Sequence, residues 1–162
     1  STEEAPLLSV FGGKLTTYRK LAESAMAQLL PFFTQMRPSW TATATLPGGE
    51  DMTTPQALSA LIRDKFDFVP TEIARRWSTT YGSRTWRMLE GVENLNDLGE
   101  HLGGGLYSRE VDYLCSDEWA TTAHDILWRR SKLGLFTTAD EQVKVQLYLD
   151  KVQVNRRKIE AA

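Results

Sequence analysis

The chain has 162 residues, a formal net charge of −2, 41% hydrophobic and 25% charged residues. That is long enough for one sizeable core and ordinary for a globular protein. The near-neutral charge excludes a strong pull on nucleic acid or anionic lipid. No apolar run approaches the roughly 18 residues of a membrane span, and the lone cysteine, Cys115, excludes an internal disulfide and fits a reducing compartment.

In chain order, Ser1 to Pro6 reads as a linker with no signal-peptide pattern. Leu7 to Phe11 is short, largely apolar and bounded by turn residues, which predicts a buried strand. Gly12-Gly13 then allows a tight turn and close approach of another molecule to the backbone. Thr16 or Thr17 suits a helix cap. Tyr18, Leu21, Ala22, Ala25, Met26, Leu29 and Leu30 recur at helical spacing, opposite Arg19, Lys20, Glu23 and Gln28, until Pro31 stops the helix. A helix start offers unpaired N–H groups and a partial positive charge, and Lys14 adds a full one. Together they suit an anion or an electron-rich carbonyl edge; the plain alternative is a structural turn. A strand with no partner strand in the sequence would leave backbone groups unpaired, so the chain is expected to be a piece of a longer protein.

Residues 32–53 read as an irregular connection, with Trp40 expected against the core. Beyond it the pattern is helical throughout. Thr54-Pro55 opens a helix bearing Leu58, Leu61 and Ile62. Pro70-Thr71-Glu72 opens another, with Ile73, Ala74 and Trp77 inward and Gly82 after its end. Ser83 is expected to cap a short helix carrying Trp86 and Leu89. Val92 to Gly105 reads as a loop, most flexible at Gly103-Gly104-Gly105. Ser108 is expected to cap a helix with Val111, Leu114, Cys115 and Trp119 on one face. Thr122 with Asp125, and Thr138 with Glu141, have the spacing of capping boxes. Ile126, Leu127, Leu133 and Phe136 supply an apolar face, and Val145, Leu149, Val152 and Ile159 the stripe of a long last helix with Arg156, Arg157 and Lys158 at its end.

The string SVFGGKLTTYRKLAE resembles the closing strand–loop–helix of the FAD domain in aerobic, FAD-dependent glycerol-3-phosphate dehydrogenases. LPGGE, the Tyr81-Gly82 pair, Glu110-Val111 and DEWATTAHDILWRRSKLGLF are similar to the helical C-terminal domain of the same proteins. Where that family usually has an Asp followed by Arg-Arg-Thr, this chain has Asp125, Arg129, Arg130 and Ser131; the serine keeps the hydroxyl. Glu118 and Thr122 fit the pattern, and the calcium-binding extension of vertebrate relatives has no counterpart here. The resemblance implies a mainly α fold: a helical-bundle C-terminal domain over 54–162, a connection over 37–53, and over 1–36 one strand–Gly-Gly–helix unit that completes an FAD domain. It implies oxidation of glycerol 3-phosphate to dihydroxyacetone phosphate, with electrons passing through FAD to a membrane quinone. It further implies a cytoplasmic enzyme peripheral at the inner membrane, partnered by its own FAD and substrate domains and able to form a homodimer. Gly12, Gly13, Lys14, Leu15 and Thr16 would line the pyrimidine edge of the flavin, where Lys14 and helix N–H groups would stabilise charge on the reduced ring.

The bland readings stand beside these. Asp125 and Arg129 are spaced for a simple i, i+4 pair, which favours a structural role for Arg129 and Arg130 over a docking surface. His101 and His124 lie far apart with no ligand at metal spacing, so no metal is expected; Cys115 and the tryptophans are expected in the core. Trp86 with Arg84 and Arg87 is a weak candidate for an aromatic–basic patch. No dinucleotide fingerprint follows a strand. The competing readings are a glycerol-3-phosphate oxidase that uses oxygen and a free-standing helical interaction module; a nucleic-acid-binding domain is disfavoured by charge. On the leading reading the adenine and pyrophosphate seats lie outside the chain. Expressed alone, it should therefore lose FAD on gel filtration, and a co-eluting flavin absorption band would overturn that expectation.

Overall fold

The computed structural model describes residues 7–33, 35–51 and 54–160, excluding the side chains of 155–160. The chain divides into two compact units, Ser1–Thr45 and Leu46–Ala162.

In the first unit a 3-10 turn, Leu15–Thr17, leads into α1 (Tyr18–Leu29), and a second 3-10 turn, Leu30–Phe32, ends it at Pro31. The following segment returns along α1 and is pinned by one carboxylate. Glu23 accepts from Ser39 Oγ at 2.7 Å, Thr41 Oγ1 at 2.6 Å and Arg19 Nη1 at 2.8 Å. The Thr41 and Ser39 hydroxyls, helped by Lys20, hold its pKa down at about 2.

The strand expected at Leu7 to Phe11 is not formed. These residues have no regular structure, and Phe11 is 92% exposed. A strand needs a neighbour to take its backbone hydrogen bonds, and the only ladder among the described residues lies in the second unit. Trp40 does not anchor to a core either: it is 64% exposed. The linker expected at Ser1 to Pro6 lies outside the described residues.

The second unit is mainly helical. It contains α2 (Pro55–Lys65), α3 (Thr71–Thr80), the short α4 (Thr85–Met88), α5 (Ser108–Ser116) and α6 (Ala139–Glu160). Thr54 caps α2, accepting from Ala57 N at 3.1 Å. The Thr138–Glu141 box opens α6: Thr138 N donates to Glu141 Oε2 at 2.8 Å, and Glu141 N to Thr138 Oγ1 at 3.3 Å. Gly82 takes a left-handed φ of +56° after α3, and a Cβ there would lie 1.9 Å from the Gly48 carbonyl oxygen. Ser83 N donates to that same oxygen at 2.8 Å, so the LPGGE turn and the end of α3 lock together through a glycine contact.

Four local expectations give way to tertiary packing. Ser83 does not cap a helix; its hydroxyl donates to Glu50. Ser108 lies inside α5, and its hydroxyl accepts from Glu100 N. The segment read as a loop contains a 3-10 turn, Leu95–Leu98, and an antiparallel ribbon of β1 (His101–Gly103) and β2 (Leu106–Tyr107), with His101 opposite Tyr107 and Gly103 opposite Leu106. The triple glycine is the ribbon's turn, and a side chain at Gly103 would collide with Glu141 of α6. Trp119, Leu61 and Phe136 face out, whereas Ile62, Trp77, Leu102, Leu114, Ile126, Val145 and Leu149 form the fully buried core. The side chains of Arg156, Arg157, Lys158 and Ile159 lie outside the described residues.

At the centre of that core stands a charge. Glu110, on α5, is fully buried. Arg76 grips it with two bonds of 2.5 and 2.7 Å, Trp77 Nε1 donates at 2.8 Å and Tyr81 OH at 2.6 Å. Arg76 also donates to the Gly105 carbonyl at 3.0 Å. Removing one partner of a buried pair leaves the other charge desolvated, which costs about 3–5 kcal/mol. Glu110→Ala should therefore lose about 3–5 kcal/mol in urea unfolding. Glu72→Ala, which breaks an exposed pair with Arg75, should lose under about 0.5 kcal/mol. A Glu110→Ala loss below about 1 kcal/mol would refute the central role given to this network.

Candidate functional site

The residues expected to meet the flavin lie together at the start of the first unit. Gly12 and Gly13 have φ of +78° and +127°, both closed to ordinary side chains. A Cβ on Gly13 would meet Leu21 Cδ2 at 2.9 Å, while one on Gly12 would meet nothing within 4 Å. Gly13 thus serves the turn itself, and Gly12 leaves an open approach to the backbone. Thr17, rather than Thr16, closes the turn: its hydroxyl accepts from Lys14 N at 3.3 Å and donates to Lys14 O at 3.1 Å. As the first residues of the 3-10 turn, Leu15 and Thr16 have N–H groups without partners inside it. Gly12, Gly13, Lys14, Leu15 and Thr16 are all exposed. The turn is an accessible, positively charged backbone corner, and its donor set fits an electron-rich carbonyl edge.

The second candidate region surrounds Asp125. The capping relation with Thr122 holds: Thr122 N donates to Asp125 Oδ2 at 3.0 Å and Asp125 N to Thr122 Oγ1 at 3.1 Å. Thr121 N and the Arg129 guanidinium add donors at 3.1 and 2.6 Å. These bonds, the Thr121 amide first and Arg129 next, hold the carboxyl well below the usual range. Residues Asp125–Arg130 form a π-helix rather than an ordinary α-turn. Arg129 pairs with Asp125, as the spacing suggests; Arg130 instead donates Nε and Nη2 to the Glu118 carbonyl at 3.0 and 2.9 Å.

Beside these arginines opens a cleft of about 540 Å³, lined by Pro47, Tyr81, Arg84, Leu114, Glu118, Trp119, Arg129 and Arg130, among others. Trp119, expected in the core, projects from it, 83% exposed with a left-handed φ of +54°. Its helical spacing from Val111 and Cys115 misleads, because α5 ends at Ser116 and the chain turns there, so the register of that helix no longer applies. Glu110 carried a readable signal: a carboxylate on the same helical face as Val111 and Leu114.

The remaining candidates do not assemble. His101 and His124 are exposed, and His101 stacks edge-on against Tyr107. Cys115 is buried, as expected for a core thiol. Trp86 is half-buried under Lys65, while Arg84 and Arg87 turn to Glu118 and Asp117. Among the described residues no three His, Cys, Asp or Glu side chains cluster as metal ligands, and no helix is long and apolar enough to cross a membrane.

Fold and sites together define a mainly helical module joined to a glycine-lysine turn and one helix of a separate unit. Its relatives state the class more narrowly. A family model described as the C-terminal domain of alpha-glycerophosphate oxidase matches residues 39–148, and the chain belongs to that family. It is 71% identical over 160 residues to a glycerol-3-phosphate dehydrogenase of Pseudomonas tolaasii, spanning 98% of this chain and 31% of that protein. It is 43% identical over 146 residues to the aerobic glycerol-3-phosphate dehydrogenase of Escherichia coli K12, spanning 90% of this chain and 29% of the relative. It is 42% identical over 150 residues to a D-erythritol 1-phosphate dehydrogenase of Brucella abortus, spanning 92% and 30%. The chain thus spans under a third of the length of these relatives.

The lowered pKa of Asp125 has a pH consequence. A carboxyl with a folded pKa below its unfolded one stabilises the fold fully above the unfolded value and loses that contribution as pH falls through the folded value. In Asp125→Asn the drop in urea midpoint on going from neutral pH to about pH 3 should be smaller than in the parent. Equal drops in both proteins would show that Asp125 does not carry this acid sensitivity.

Proposed function

We propose that this chain is the C-terminal portion of a flavoenzyme that oxidises sn-glycerol 3-phosphate to dihydroxyacetone phosphate. The carrying observation is the family match over residues 39–148, reinforced by the 71% identity to the Pseudomonas tolaasii dehydrogenase. FAD, when bound, would accept the hydride from C2 of the substrate and pass its electrons to a membrane quinone, the C2 hydroxyl proton leaving to a base outside these residues.

In this reading residues 1–36 complete an FAD domain, 37–53 connect, and 54–162 form the helical C-terminal domain. Gly12, Gly13, Leu15 and Thr16 would present backbone to the flavin's pyrimidine edge. Lys14 would stabilise negative charge developing there, as a fixed cation does most effectively where water is excluded. The enzyme would be cytoplasmic and peripheral at the inner membrane, with a homodimer as its possible assembly. Relatives named for glycerol 3-phosphate and for D-erythritol 1-phosphate are nearly equally similar to this chain, at 43% and 42%. That supports placing the choice of polyol phosphate in the upstream part of the polypeptide.

The test uses the full polypeptide that carries this chain, isolated from source membranes. Glycerol 3-phosphate should bleach its flavin and reduce a short-chain quinone. Lys14→Gln should lower turnover by about a hundred- to a thousandfold, the size of effect seen when a preorganised electrostatic donor is lost. Hydrogen peroxide as the main product would favour the oxidase instead, and faster turnover of erythritol 1-phosphate would change the substrate. A native band near 18.3 kDa without flavin would overturn the reading in favour of a helical interaction module.

A further inference from the structure

We draw no further inference here: the strongest candidate, the outward-facing apolar stripe of Val143, Leu147 and Val154 along α6, carries none because nothing in the structure shows what covers it.

Discussion

A carboxylate without solvent organises the helical unit. Glu110 is an acceptor only, so every donor that reaches it is fixed in direction as well as distance. Its donors come from α3 and the residue after it: Arg76, Trp77 and Tyr81. Arg76 reaches on to the turn of the ribbon through Gly105. One buried charge thus relates α5, α3 and the ribbon to one another. Burial, followed by the nearby Glu110 charge, pushes the Tyr81 hydroxyl well above its usual pKa, which keeps its proton available for the bond. Burying charges gains little net stability unless their hydrogen bonds are complete, but it penalises any arrangement that separates them. Because Gly82 follows Tyr81 and packs on Gly48, the network also fixes where the LPGGE turn and Arg84 lie.

The Asp125 region uses a carboxylate differently. Asp125, itself largely buried, gathers amides, hydroxyls and one guanidinium at the start of a π-turn. The wider turn carries an extra residue, and its last bonds converge on one carbonyl: Ser131 donates both its N–H, at 3.0 Å, and its hydroxyl, at 2.7 Å, to Ile126 O. A hydroxyl at that position is therefore what the geometry uses, and serine supplies it as threonine would. The same winding sends neighbouring arginines in different directions, Arg129 to Asp125 and Arg130 to the Glu118 carbonyl.

Legibility in the sequence followed the range of the interactions. Caps at Thr54, Thr122–Asp125 and Thr138–Glu141 are local relations of three residues, and each forms as its spacing suggests. Helical periodicity located α1, α2, α3, α5 and α6 because it depends on a face, whatever covers that face. What escaped required a partner distant in sequence. The ribbon depends on pairing across three glycines, and Ser83 and Ser108 serve Glu50 and Glu100 instead of helix ends. The tryptophans show the limit of composition: Trp77 is buried on Glu110, whereas Trp40 and Trp119 are exposed. At the glycine-lysine turn the sequence located the helix start but not which threonine closes it, since Thr16 and Thr17 differ only in where their hydroxyls point.

The first unit carries a mismatch between pattern and burial. The apolar residues of α1 recur with helical period, yet no residue of α1 is buried. Glu23 holds the returning segment on one side of the helix through Ser39 and Thr41. Tyr18 and Met26 on α1, with Leu7, Phe11 and Leu15 before it, remain exposed. Periodicity of this kind is maintained by a core that the helix faces. A segment of this size buries too small a fraction of its surface to supply one. The same holds for Leu7 to Phe11, whose strand-like composition lacks only the neighbour that would take its hydrogen bonds. An apolar helix face, an unpaired strand-like segment and an exposed Gly-Gly-Lys corner in one short stretch are in keeping with the proposed placement of this unit against a flavin domain.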